Sequence, residues 1–156
     1  MDQKFWLLHK MIIPGNQPRF KKSELLIPSA STLIVHRQSG KVLFFRSTTT
    51  KEKWGYPGGR IDFKQDKNPK DAALREGGEE TSLKIEIKRF LGIYITSEYD
   101  PNFRIHCFIA ESDEDKVKPS KEIIDWKWLR PEEGLNLDLT ISASQALEDF
   151  LKIKAT

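Results

Sequence analysis

Apolar positions along this chain follow two rhythms, one of alternation and one of helical spacing. Ser31 to His36 (Ser-Thr-Leu-Ile-Val-His) and Lys41 to Arg46 (Lys-Val-Leu-Phe-Phe-Arg) are β-rich runs around the turn signal Ser39-Gly40, and together they predict a hairpin. A polar stretch, Ser47 to Lys53, leads to Trp54-Gly55-Tyr56-Pro57-Gly58-Gly59. The glycines and proline there argue against a helix and predict a strand end entering a tight loop. Asn68 stands where an N-cap belongs and Pro69 at the first helical position, where a missing N–H costs nothing, so a helix is expected over Pro69 to Glu80. Lys84 to Thr96 and Phe103 to Ala110 read as strands around a turn at Ser97 to Asn102. Glu111 to Lys121 then reads as a charged loop and Asp125 to Leu129 as a short strand. Ile141, Ala143, Ala146, Leu147, Phe150 and Leu151 recur at helical spacing and predict a closing amphipathic helix.

The order strand, strand, Gly-rich loop, helix, strands, helix predicts an α/β fold of the mixed α+β kind, a central mixed sheet covered by helices. Residues 1–28, with Pro14, Pro18 and Pro28, read as an N-terminal arm, and residues 29–156 as one domain. The 156 residues, with 31% charged, suit a single core. Met1 to Ile13 is too short and too interrupted by Lys4, His9 and Lys10 to span a membrane, and it lacks a small-residue cleavage site, so neither anchor nor signal is expected.

Charge narrows the partners only a little. A net +3 weakly favours anionic ligands. Lys and Arg are interleaved with acids and no aromatic-basic recognition motif appears, which argues against a nucleic-acid-binding domain. The single cysteine, Cys107, has no intrachain partner and lies in the apolar run His106 to Ala110. A buried strand position and a reducing, cytoplasmic setting are therefore expected. His9, His36 and His106 have no ligand-spaced partner, so histidine metal binding is not expected.

The chemistry concentrates in Arg75-Glu76-Gly77-Gly78-Glu79-Glu80. On a helix, Glu76, Glu79 and Glu80 sit at offsets zero, three and four, which projects three carboxylates from one face. Like charges at these spacings cost a few tenths of a kcal/mol per pair, and each interior glycine costs about 1 kcal/mol against alanine. Helix stability alone does not select such a sequence. Such a cluster fits a solvated helix face, and it also fits a hard divalent cation, which takes oxygen ligands and bridges to phosphate. Arg75, four residues before Glu79, is placed to pair with it.

Pro57-Gly58-Gly59, a variable loop, then Ala72-Ala73-Leu74-Arg75-Glu76 and Glu79-Glu80-Thr81 resembles the Nudix box, the signature of the Nudix hydrolases. The family pattern runs Gly, five residues, Glu, seven residues, then Arg-Glu-aliphatic-any-Glu-Glu-any-Gly-aliphatic. Gly59, Arg75, Glu76, Glu79, Glu80 and Leu83 match it. Fifteen residues separate Gly59 from Arg75, two more than the pattern has, and none of them is glutamate. Gln65 falls at the first box Glu, with Asp62, Asp66 or Asp71 open as substitutes. Gly77 stands at the aliphatic position, and Ser82 replaces the glycine expected to turn left-handed at the helix end.

The resemblance implies a Nudix-like α/β/α sandwich with the box helix following the Gly-rich loop. It also implies Mg²⁺ or Mn²⁺ on Glu76, Glu79 and Glu80, with Gly59 and the later Glu122 as further metal candidates. Glu76, Glu79 and Arg75 are the expected catalytic group. Arg46 and Arg60 are candidates to hold substrate phosphates, guanidinium pairing well with phosphate oxygens, and Gly58 and Tyr99 complete the expected substrate contacts. The implied activity is metal-dependent hydrolysis of a phosphoanhydride in a nucleoside diphosphate linked to another moiety, such as a nucleotide sugar, ADP-ribose or a nucleoside triphosphate. The alternative is a catalytically weakened Nudix-fold module that binds nucleotides or regulates. The expected partner is a nucleotide-derived small molecule, and the arm is expected to shape the pocket or make a homodimer contact.

Overall fold

Side chains alternate across a strand, so the apolar runs bury one set of residues on each sheet face. In the computed structural model, which describes residues 26–99 and 101–155, this alternation builds a seven-stranded mixed sheet. Its strands are β1 (Leu26–His36), β2 (Val42–Ser47), β3 (Trp54–Gly55), β4 (Gly58–Arg60), β5 (Glu86–Ile95), β6 (Asn102–Ser112) and β7 (Ile123–Leu129). Helix α1 (Pro69–Thr81) follows β4, the short α2 (Pro131–Gly134) follows β7, and α3 (Ile141–Lys154) closes the chain. The order across the sheet is β3-β2-β1-β6-β5, with β4 added to β1 and β7 to β2.

Leu33 of β1 and Cys107 and Ile109 of β6 join Phe150 and Leu147 of α3 in one core. Their neighbours Ala30 and Phe108 turn the other way and meet Ala72 and Ala73 of α1. The result is a sheet between two helical layers, as expected. Cys107 is buried, also as expected. Among the described residues no helix is long and apolar enough to cross a membrane.

Several boundaries differ from the sequence reading. The first strand begins at Leu26, five residues before Ser31, because β6 pairs with it in parallel from Leu26↔Asn102 to His36↔Ser112. Pro28 is therefore strand and not arm: it has no N–H to offer, but its carbonyl accepts from Ile61 N at 3.1 Å. Met1 to Glu24 of the expected arm, with Leu25, lie outside the described residues. The predicted hairpin is real but brief. Strands β1 and β2 are antiparallel with Val35 opposite Val42; further along, β4 takes the free edge of β1 while β2 pairs along its length with β7. The sheet thus splays open on one side of β1, and the cavity described below fills that opening.

Helix α1 carries both unusual box positions. Asn68 caps it, accepting from Asp71 N at 2.9 Å, and Ser82 ends it in the left-handed region at φ 61°. Gly77 faces the sheet, where an added Cβ would stand 2.6 Å from Ile85 Cδ1 and 2.9 Å from Thr32 Oγ1. The space of the family's aliphatic side chain is thus filled from β1 and from Ile85. Gly77→Ala gains about 1 kcal/mol of helix propensity but overpacks this site at about 1 to 3 kcal/mol. Net destabilisation in urea denaturation is the expected result, and trimming Ile85→Val in the same chain should recover most of it.

Candidate functional site

The glycines of the loop let it approach one strand backbone and one side chain more closely than any other residue would. A Cβ on Gly58 would lie 2.6 Å from Ala30 O, and one on Gly59 would lie 2.5 Å from Glu76 Cδ. Strand β4 can therefore lie flat against β1 while the Glu76 carboxylate rests on the loop itself.

Arg75 organises the acids around it. Its Nε donates to Asp66 Oδ1 at 3.0 Å and its Nη2 to Asp66 Oδ2 at 2.8 Å, a two-pronged pair. Its Nη1 donates to Glu76 Oε1 at 2.8 Å and reaches Glu79 Oε2 at 3.4 Å, and Nη2 also approaches the Arg60 carbonyl at 3.3 Å. The Asp66 side chain is only 3% exposed, so this is a buried pair that fixes the guanidinium. Of the three aspartates open as substitutes for the missing loop glutamate, Asp66 is the one that holds Arg75. Gln65 turns elsewhere: its amide donates to Asp62 Oδ2 at 2.9 Å. Asp62 also accepts from Lys64 N, which holds its carboxyl below the usual range, and Asp71 accepts from Lys67 N.

The three helical glutamates do not share one environment. At about 100° per residue, Glu76 and Glu80 stand about 40° apart while Glu79 is about 100° from Glu80. Glu76 and Glu80 accordingly face the cavity, and the Glu79 side chain is 61% exposed. Two of the three carboxylates thus line the cavity, and Glu79 lies beside Arg75 outside its wall. Burial pushes the Glu80 carboxyl up to about 8; the Gly58 N–H, donating to Oε2 at 3.3 Å, opposes this, and Glu76, Glu122 and Glu79 add to it by repulsion. Burial also raises Glu76, against the pull of Arg75.

Glu122 arrives from a distant part of the chain through backbone ties to the end of α1. Lys118 N donates to Thr81 O at 2.9 Å, Ser120 N to Glu80 O at 3.2 Å, and Ser82 Oγ to Lys118 O at 3.1 Å. These bonds partly satisfy the open carbonyls of the last helical turn. The hydroxyl that ties Lys118 is one that glycine at position 82 would lack.

These elements enclose a cavity of about 460 Å³. Gly58, Gly59, Arg60, Glu76, Glu80, Tyr99 and Glu122 line it. Arg46 does not: alternation sends Phe45 and Ser47 to the cavity, and the Arg46 guanidinium lies 5.9 Å from the Trp54 ring centroid. Sequence reasoning missed the rest of the wall, which includes Tyr94 of β5 and Thr96 just beyond it, Phe103 and Ile105 of β6, and Thr140 and Ser142 at the start of α3. Phe103 and Ile105 share one face of β6, but nothing local tells a cavity face from a core face.

The donors at the acidic end, carboxylates and peptide carbonyls, suit a hard cation. Among the described residues no three acidic, histidine or cysteine side chains already stand together as a metal cluster. The arrangement explains why: Arg75 is the present counter-charge of Glu76 and Glu79. Glu80 is repelled by both Glu76 and Glu122, and all three line the cavity, so the residues fit an ion that draws Glu76 from Arg75 while Asp66 keeps the guanidinium.

Comparison with known proteins gives the family and the fold. Residues 26–150 match the family model described as the NUDIX domain. No curated protein matches the chain. Among solved structures, a MutT protein from Methanosarcina mazei Go1 superposes with TM-score 0.73 at 25% identity, over 84% of this chain and 96% of that one. A C. elegans Ap4A hydrolase in a binary complex gives TM-score 0.71 at 20% identity, over 83% and 98% of the two chains. The NUDIX domain of Shewanella oneidensis NrtR, complexed with ADP ribose, gives 0.69 at 20% identity over 100% of both.

Proposed function

The chain belongs to the Nudix hydrolase family, and from that premise we propose that it hydrolyses a phosphoanhydride bond in a nucleoside diphosphate linked to another moiety, with a divalent cation bound at the acidic end of the cavity. One observation carries this reading: Glu76, Glu80 and Glu122 line one cavity together with Gly58, Gly59 and Arg60, although they come from separate parts of the chain.

Glu76, Glu80 and Glu122 would hold Mg²⁺ or Mn²⁺, with the Gly59 carbonyl beside them. When bound, such an ion neutralises diphosphate charge and acidifies a coordinated water. The protein's own residues do the remainder. Arg60 offers a guanidinium to a substrate phosphate at the cavity wall, and the Gly58–Gly59 backbone limits how closely the diphosphate approaches. Asp66 keeps Arg75 in place, so Arg75 orients Glu76 without leaving when an ion competes for that carboxylate. Glu79, exposed and held by the 3.4 Å contact to Arg75, would have to turn towards the cavity to take up the proton of the attacking water, and it is the carboxylate we assign to that role. Glu80 carries a proton near neutral pH without an ion, so loading the site releases it, and the apparent affinity for the ion should rise up to about pH 8.

The test is turnover. With Mg²⁺, the protein should release a mononucleotide or phosphate from at least one of a nucleotide sugar, ADP-ribose, a nucleoside triphosphate and a dinucleoside polyphosphate, and a chelator should stop it. Binding to these compounds without turnover on any of them would move the chain to the catalytically weakened, binding-module reading, which the box departures at Gln65, Gly77 and Ser82 also suit.

A further inference from the structure

The cavity wall is divided by chemistry. Its charged side chains are Arg60, Glu76, Glu80 and Glu122. The rest of the wall is apolar, aromatic, hydroxylic or glycine, and among the described residues it contains no Asn, Gln, Asp, His or Lys. Most hydroxyls that could donate there are already engaged within the protein. Tyr94 Oη donates to Asp149 Oδ2 at 2.7 Å, Tyr56 Oη to Ala143 O at 2.9 Å and Tyr99 Oη to Thr50 O at 3.4 Å. Thr50 Oγ1 is spent on the carbonyls of Ser47 and Lys53.

On the cavity wall an aromatic pair is fixed in place. The Tyr99 and Phe103 rings meet edge to face with centroids 6.0 Å apart. The Lys51 ammonium sits 5.5 Å from the Tyr99 ring centroid and donates to Glu98 O at 2.9 Å. Lys51 and Glu52 both adopt left-handed backbone, at φ 53° and 62°, to bring it there. Aromatic faces accept any base, because every base has a π-face.

From this we infer that the neutral part of the cavity takes the nucleoside by shape and stacking and does not read its base. The inference rests on the nucleotide-hydrolase reading above and deepens it: the substrates form a class defined by the diphosphate linkage, with adenine, guanine, cytosine and uracil members alike. Reading a base edge takes paired donors and acceptors of the kind Asn, Gln, Asp, Glu or Arg supply. Among the described residues of the wall, the side chains of those types are confined to Arg60, Glu76, Glu80 and Glu122. A site that hydrogen-bonds a substrate group rejects analogues lacking it by about 10⁴ to 10⁵, whereas an apolar pocket separates close analogues by only about 10- to 200-fold.

The experiment compares four nucleoside diphosphate sugars that share one sugar and differ only in the base, with Mg²⁺, and measures binding of the four nucleoside monophosphates by calorimetry. The kcat/KM values and the dissociation constants should each spread by less than about 100-fold across the bases. Tyr99→Ala should weaken all four by a similar factor, on the order of tenfold and mainly through KM, as loss of one stacking ring predicts. A preference of more than about 100-fold for one base, or a Tyr99→Ala effect confined to one base, overturns the inference. So does failure to bind any monophosphate. Even-handed binding of all four with no turnover leaves this inference standing and removes the hydrolase reading instead.

Discussion

Glu80→Gln is expected to lower kcat by a factor on the order of 10² to 10³ while leaving the fold intact and the ion-free protein no less stable. Glutamine copies the protonated acid in size and can still accept from Gly58 N, which donates to Glu80 Oε2 at 3.3 Å. What it removes is the negative charge available to an ion. The same substitution separates catalysis from stability through pH. The folded carboxyl titrates at about 8, well above its ordinary 4.5, so the folded chain binds this proton more tightly than the unfolded chain. Its contribution is complete below about pH 4.5 and is lost as the pH climbs through about 8. Wild-type protein with a chelator should therefore melt at progressively lower temperature between about pH 5 and 8, and this part of the decline should be absent from the glutamine variant. Scanning calorimetry and steady-state rates on the two proteins read both effects. Undiminished hydrolysis by the variant would remove Glu80 from the proposed machinery.

The second large effect should come from Arg75→Ala. Its removal leaves Asp66, with a side chain 3% exposed, as a buried carboxylate without its guanidinium, and leaves Glu76 and Glu79 without their shared counter-charge. Breaking one side of a buried pair costs about 3 to 5 kcal/mol. For a domain of this length that is a fall in Tm of about 10 °C. Excess Mg²⁺ should restore part of the loss, since an ion relieves Glu76 even though it does nothing for Asp66. Arg75→Lys should be intermediate, because an ammonium cannot make the two parallel bonds to Asp66. If Arg75→Ala melts within about 2 °C of wild type, the pair is not the organiser described above.

Much of this architecture can be read from residues, but unevenly. Helix α1 was legible because its signals are local: Asn68 caps it and Pro69 begins it. The start of β1 was not, because Pro28 and Ser29 look like breakers and are held extended by β6, a strand whose pairing begins at Asn102. At the site, the acids of the box stood out by their number, yet their division into an inward pair and an outward Glu79 follows from helical angles that a count of offsets blurs. Asp66 became distinguishable from Asp62 and Asp71 only in three dimensions. The loop is two residues longer than the family pattern, so counting forward from Gly59 leads to Gln65, next door to the residue that meets Arg75. Arg46 lies off the cavity wall for a simpler reason: a strand sends alternate side chains to opposite faces, and the sequence does not say which face borders a cavity.

The ties from Lys118 and Ser120 to the last turn of α1 also bear on how this chain can change in length. They divide the connection between β6 and β7 into a part before Lys118 that does not set the place of Glu122 and a part after it that does. Extra residues inserted among Asp113 to Lys116 would disturb the contacts of Arg37 with Asp113, Lys84 N with Glu114 and Trp128 with Asp115, but they leave the ties at Lys118 and Ser120, and so Glu122, where they are. One residue added between Lys118 and Glu122 has nowhere to go except into the spacing between that glutamate and the helix, so drift in length is tolerable on one side of Lys118 and ruinous on the other.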